Sequence, residues 1–168
     1  LSIDTMKPEV MRAAIAAGAS MVNDVNALRA PGGIEVCARS DAAVCLMHML
    51  GTPRTMQQDP AYGDVVAEIA TFLVERAQAC ERAGITRERI VIDPGFGFGK
   101  TSHHNLELIR ALPRLTARGY AVMAGISRKS VLGRLVGRDA GSRQSASVAA
   151  ALLLAQRGAG VLRVHDVQ

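Results

Sequence analysis

Six short apolar runs in this chain each bring a polar or charged group to their C-terminal end. Asp4 follows Leu1–Ile3, Asn23 and Asp24 follow Ser20–Val22, and His48 follows Ala42–Met47. Asp93 stands after Arg89–Ile92, and Ser127, Arg128 and Lys129 lie past Tyr120–Ala124 and Gly125. Arg163, His165 and Asp166 close the series around Val161–Val164. Carboxylates can accept paired N–H donors from a ligand, and a cation beside an imidazole can hold an anion. A lone Asp ahead of a helix is more simply a cap, which would account for Asp4 or Asp24 alone. The succession of six points instead to a site at one end of a set of strands.

The segment Asp93-Pro94-Gly95-Phe96-Gly97-Phe98-Gly99-Lys100 invites comparison with phosphate loops and fails the count. A P-loop needs Gly five residues before its Gly-Lys pair, where this chain has Pro94. The dinucleotide pattern fails at Lys100, three residues after Gly97. What remains is a turn exposing two aromatics beside a strand-end carboxylate, a setting for a planar heteroaromatic ligand. The Ser127-Arg128-Lys129-Ser130 turn offers side chains to an anion. His48, His165 and the pair His103-His104 have no zinc-ligand spacing. No Ser sits in a nucleophile elbow, and Cys45 lies within a strand, so no covalent nucleophile stands out.

The elements that must position these groups alternate along the chain. Helical spacing marks Val10, Met11, Ala14, Ile15 and Ala17, then Gly32 to Arg39, then Val66, Ile69, Leu73, Ala77 and Cys80. Leu106, Ile109 and Leu112 mark a fourth helix and Ser145–Gln156 a fifth, with Val148–Ala155 read as buried. Six strands and five helices in alternation predict a parallel sheet covered by helices. The chain has 168 residues, 49% of them hydrophobic and 21% charged, which suits one domain over residues 1–168. No apolar run reaches the roughly 18–20 residues that span a bilayer, so no membrane partner is expected. Cys37, Cys45 and Cys80 form no CxxC pair and are expected as reduced thiols in a cytoplasmic protein. A net charge of +5 favours an anionic partner. The bases are scattered and aromatics are scarce, which argues for a small ligand and against nucleic acid.

Taken together, DPGFGFGK (Asp93–Lys100), SRKS (Ser127–Ser130), RVHD (Arg163–Asp166), IDT (Ile3–Thr5), VNDV (Val22–Val25) and LMHM (Leu46–Met49) resemble the dihydropteroate synthases. The resemblance runs from end to end of the chain. It implies a (β/α)₈ TIM barrel, usually a homodimer, that joins 6-hydroxymethyl-7,8-dihydropterin pyrophosphate to p-aminobenzoate in folate synthesis and releases pyrophosphate. Sulfonamides compete with p-aminobenzoate in that family. By the same resemblance Asp4, Asn23 and Asp93 bind the pterin, Met47 and Phe98 contact its ring, and Lys129 reaches its carbonyl. Lys129, Ser130 and Phe98 line the p-aminobenzoate pocket, and Arg163 and His165 hold pyrophosphate. Lys129, Arg163 and His165 are the expected catalytic groups.

The departure is at the ends. The family places two βα units ahead of the IDT strand, carrying loops for Mg²⁺, pyrophosphate and closure of the p-aminobenzoate site. A (β/α)₈ barrel takes about 250 residues. The expectation is therefore an incomplete barrel, open at both ends, lacking the Mg²⁺ loop and the last helix, with little or no activity alone. A corrinoid-dependent methyltransferase would share the pterin carboxylates without needing SRKS and RVHD. A non-catalytic pterin- or phosphate-binding module would bind pterin without chemistry on p-aminobenzoate.

Overall fold

In the computed structural model, which describes residues 1–137, 139 and 142–167, every strand is parallel to its neighbours. The strands are β1 (Ser2–Asp4), β2 (Met21–Asp24), β3 (Ala43–Met47), β4 (Ile90–Asp93), β5 (Ala121–Ala124) and β6 (Val161–Leu162). Their order in the sheet is their order in the chain. The helices are α1 (Pro8–Ala16), α2 (Gly33–Ala38), α3 (Val65–Arg82), α4 (Ser102–Thr116), α5 (Ser130–Val136) and α6 (Gln144–Gln156). This is an incomplete (β/α)₈ barrel of six parallel strands with helices outside.

Local chemistry fixes the helix starts. Pro8 opens α1, where its fixed φ suits the first turn. Asp64 caps α3 by accepting from Val66 N and Ala67 N, and Thr101 caps α4 in a reciprocal box with His104. Alternation then sorts each strand. Val22, Val44, Leu46, Ile90, Ile92, Val122 and Ala124 face the helices in the main core, with Ile69, Leu73, Leu108 and Leu112. Cys45, Val91 and Met123 form a second, smaller cluster inside the barrel, flanked by Met21 and Val161. The three cysteines are free and buried.

Two expectations change. Six α-helices are described, not five, because β5 and β6 are joined by α5 as well as α6. The α5 segment is seven residues long and contains Gly133, too short for a periodic signal. The Val148–Ala155 run is helical but not buried, since Val148 and Leu152 are each 59% exposed. In that helix only Ser147 and Leu154 are buried. A segment apolar all round shows no preferred face, so the pattern could not say which side packs.

Candidate active site

The inner cluster is the floor of the site. Two residues further along each strand, the next inward positions are Asp4, Asn23, Met47, Asp93, Gly125 and Arg163. Asp4, Asn23, Asp24 and Asp93 are thus the last residues of their strands, not residues beyond them. A cleft of about 300 Å³ lies over the inner cluster, lined by Asp4, Met21, Asn23, Met123, Val161 and Arg163. The Asn23 Nδ2 donates to Asp4 Oδ2 at 3.1 Å, and Arg163 reaches the same oxygen from β6 at 3.4 Å. Asn23 is only 7% exposed, and its Oδ1 has no hydrogen-bond partner. A buried acceptor left unpaired beside a mostly apolar cleft calls for a partner that the chain itself does not supply.

Asp24 faces the other way and is fully buried. Its two oxygens accept from Asn26 N at 2.7 Å and Leu28 N at 2.8 Å. It therefore shapes the turn after β2 and does not cap α2, which starts only at Gly33.

Asp93 sits at the foot of the glycine loop, with Oδ1 accepting from Gly95 N at 2.7 Å. Gly95, Gly97 and Gly99 all have positive φ, at 69°, 79° and 65°. A Cβ on Gly95 would lie 2.0 Å from the His48 carbonyl oxygen, so the loop rests directly on the end of β3. The left-handed glycines turn the two phenylalanines to different fates. Phe96 is fully buried in the core, contrary to the expectation that both rings are exposed. Phe98 stays partly accessible beneath the Lys129 ammonium, 4.5 Å from the ring centroid.

The loop is held by four side chains. Its consecutive carbonyls at Phe96, Gly97, Phe98 and Gly99 accept from Lys129, Gln57, Lys100 and Tyr62 respectively. Asn105, fully buried in α4, accepts from Gly97 N at 2.8 Å.

Across the cleft, Ser130 is the first residue of α5 and is exposed. Arg163 and His165 follow β6 on the solvent side. His165 Nδ1 lies 3.0 Å from the Ser127 hydroxyl, which also accepts from the His165 backbone N–H at 3.3 Å. Arg128 is paired with Asp166, and Arg163 with Asp4. Arg163 and His165 are both exposed, but Arg163 lines the cleft whereas His165 lines a separate hollow with Gln144, Asp166 and Val167.

The electrostatics tie these groups together. Burial raises the Asp93 carboxyl above its ordinary value, against the Gly95 N–H and the charges of Lys129, Lys100 and Arg163. Burial lowers the Lys129 ammonium to about 8, with Arg163 adding to the effect and Asp93 opposing it. Among the described residues no three His, Cys, Asp or Glu groups converge where a metal ion would sit.

The pterin-binding enzyme family model matches residues 1–165. The chain belongs to the pterin-binding enzymes. It is 44% identical over 168 residues to dihydropteroate synthase of Escherichia coli K12, covering all of this chain and 60% of that protein. The structure of dihydropteroate synthase from Stenotrophomonas maltophilia, with imidazole bound in its active site, superposes with a TM-score of 0.96 at 53% identity. That match covers 99% of this chain and 63% of the other. The Xanthomonas albilineans dihydropteroate synthase in complex with 7,8-dihydropteroate gives 0.93 at 55%, over 99% and 63%. The chain spans about 60% of the length of the curated relatives it matches.

For this pterin-binding enzyme, sequence reasoning brought forward three of the cleft-lining groups, Asp4, Asn23 and Arg163, but not the apolar residues that line it or the side chains that brace it. Gln57 lies in a long loop without periodicity, and Asn105 is one polar residue in an amphipathic helix. Neither carries a signal by type or spacing. Lys100 was visible as the last letter of the glycine segment, without a role.

Proposed function

We propose that residues 1–168 form a single domain of a dihydropteroate synthase, condensing 6-hydroxymethyl-7,8-dihydropterin pyrophosphate with p-aminobenzoate. The observation that carries the reading is the unpaired Asn23 Oδ1, buried beside Asp4 over an apolar floor, with Asp93 inward two strands away. A pterin edge carries adjacent ring and exocyclic N–H groups, which suit carboxylate and amide acceptors. Asp93 accepts the paired donors, Asn23 and Asp4 take further edge atoms, and Met47 lies against the ring. Lys129 donates to the pterin carbonyl, and Phe98 and Ser130 border the p-aminobenzoate.

In the reaction the C–O bond between the pterin methylene and pyrophosphate breaks, and the leaving anion takes the bonding pair. Arg163 and His165, both exposed after β6, hold that anion. The arylamine nitrogen then bonds to the electron-poor methylene and loses a proton to solvent. Catalysis rests on positioning and on charge stabilisation, with no covalent enzyme intermediate. Magnesium, which the resemblance implies, finds no cluster of three such ligands among the described residues. We further assign the complete protein to the cytoplasm and to a homodimer, with no nucleic-acid or membrane partner; no helix described is long and apolar enough to cross a membrane.

The test is binding and turnover with dihydropterin pyrophosphate, Mg²⁺ and labelled p-aminobenzoate. The chain is expected to bind the pterin but to yield little or no labelled dihydropteroate alone. Joined to the two N-terminal βα units of a relative, it should give product that a sulfonamide suppresses. Steady turnover by the 168 residues would show those units to be dispensable. Absence of both binding and turnover in the joined protein would overturn the enzyme reading.

A further inference from the structure

The chain contains three lysines, against seventeen arginines. Lys7 is exposed ahead of α1, and the other two flank the candidate site. Lys100 is 2% exposed, and nothing in the functional reading above uses it. Its Nζ lies 2.8 Å from the Phe98 carbonyl oxygen, 3.1 Å from His48 Nδ1 and 3.4 Å from the His48 carbonyl oxygen. Three acceptors match the three N–H bonds of an ammonium. For Nδ1 to accept, His48 must be neutral with its proton on Nε2. Its environment favours the neutral ring, because burial foremost, then Lys100 and Arg29, push its pKa down to about 3.

We propose that Lys100 is a positioning residue for the pterin. It ties the Phe98 carbonyl to the end of β3, and it sets a positive charge near Asp93 that favours the ionised carboxyl. The inference rests on the pterin reading of Asp93 given above. Lys100 and Asp93 make no ion pair, so the effect is through the field and through the loop. Asp93, Lys129 and His48 are the titratable groups that face Lys100, from β4, from the turn before α5 and from the end of β3. Burial lowers Lys100 to about 7, with Lys129 adding to the effect and Asp93 opposing it. Around neutral pH the charge near Asp93 is therefore adjustable, and a bound pterin that requires an ionised Asp93 should draw a proton onto Lys100.

The experiment titrates 6-hydroxymethylpterin into this chain and into Lys100→Met between pH 6 and pH 9, with the fold of each checked by circular dichroism. Methionine keeps most of the apolar stem and removes the ammonium. The expected result is an affinity loss of roughly tenfold at pH 6, shrinking towards pH 9, where the unaltered chain has itself lost the charge. A ratio constant across the range, or no loss at all, overturns the proposal while leaving the pterin reading intact. No pterin binding by the unaltered chain overturns both. If Lys100→Met does not fold, ¹³C-labelled lysine in the unaltered chain gives three resonances to follow. One should titrate near 7 and shift upward on saturation with 6-hydroxymethylpterin; a midpoint that the pterin does not move overturns the assignment.

Discussion

A carboxylate with one oxygen already tied to a backbone N–H, as Asp93 has, can bind strongly only if it stays charged. Asp93→Asn keeps the shape and the Gly95 contact but loses the charge that strengthens two ligand hydrogen bonds. Affinity for 6-hydroxymethylpterin should fall by about 1.5–3 kcal/mol, read by calorimetry. Stability is expected to respond to pH through His48, whose pKa in the fold is about 3 against about 6.5 unfolded. Between these values the unfolded chain binds a proton that the fold refuses, so stability is full above about 6.5 and declines as pH falls below it. Asp24 and Asp93, raised by burial, act in the opposite sense at the acid end, where the fold takes protons up first. His48→Gln should flatten the decline in Tm between pH 6.5 and pH 5. The strand-end groups were legible because polar residues ending apolar runs stand out by type. Asp24 had the same signature yet points outward, since a one-residue step along a strand reverses the face.

At the scale of the element, the glycine loop behaves as a rigid part. A methyl group at Gly95 meets the His48 carbonyl oxygen at 2.0 Å, and the positive φ adds strain. Gly95→Ala should therefore destabilise the chain and also weaken pterin binding, by moving Asp93 and Phe98 together. Phe96→Ala removes a fully buried ring and should cost about 3–5 kcal/mol in urea denaturation. Phe98→Ala should leave stability nearly unchanged and weaken ligand binding. The opposite fates of two phenylalanines two residues apart were not legible in the sequence. A loop has no period from which to read a face, and the deciding contacts come from Gln57, Tyr62, Lys100 and Lys129. The helices of the frame, by contrast, were written in their own spacing. Val66, Ile69, Leu73, Ala77 and Cys80 all lie in the buried face of α3, as their intervals require.

For the molecule as a whole, alternation of strand and helix led to the parallel sheet, because strands covered on both faces lack polar positions. What it could not supply was the fate of α6, whose apolar face is open. With Val148, Leu152 and Leu153 uncovered beside Val164, the chain should associate at tens of micromolar in sedimentation velocity. The double substitution Val148→Glu, Leu152→Glu should keep it monomeric without loss of helix. The strand order carries a further consequence, for synthesis. Since each strand pairs with the one made just before it, every length of chain leaving the ribosome finds its docking edge already assembled. Asp4 and Arg163, 159 residues apart, join only when the last of these strands arrives. The polar lip of the cleft is thus joined only once β6 is in place, and the chain can grow as a sheet long before it can hold a ligand.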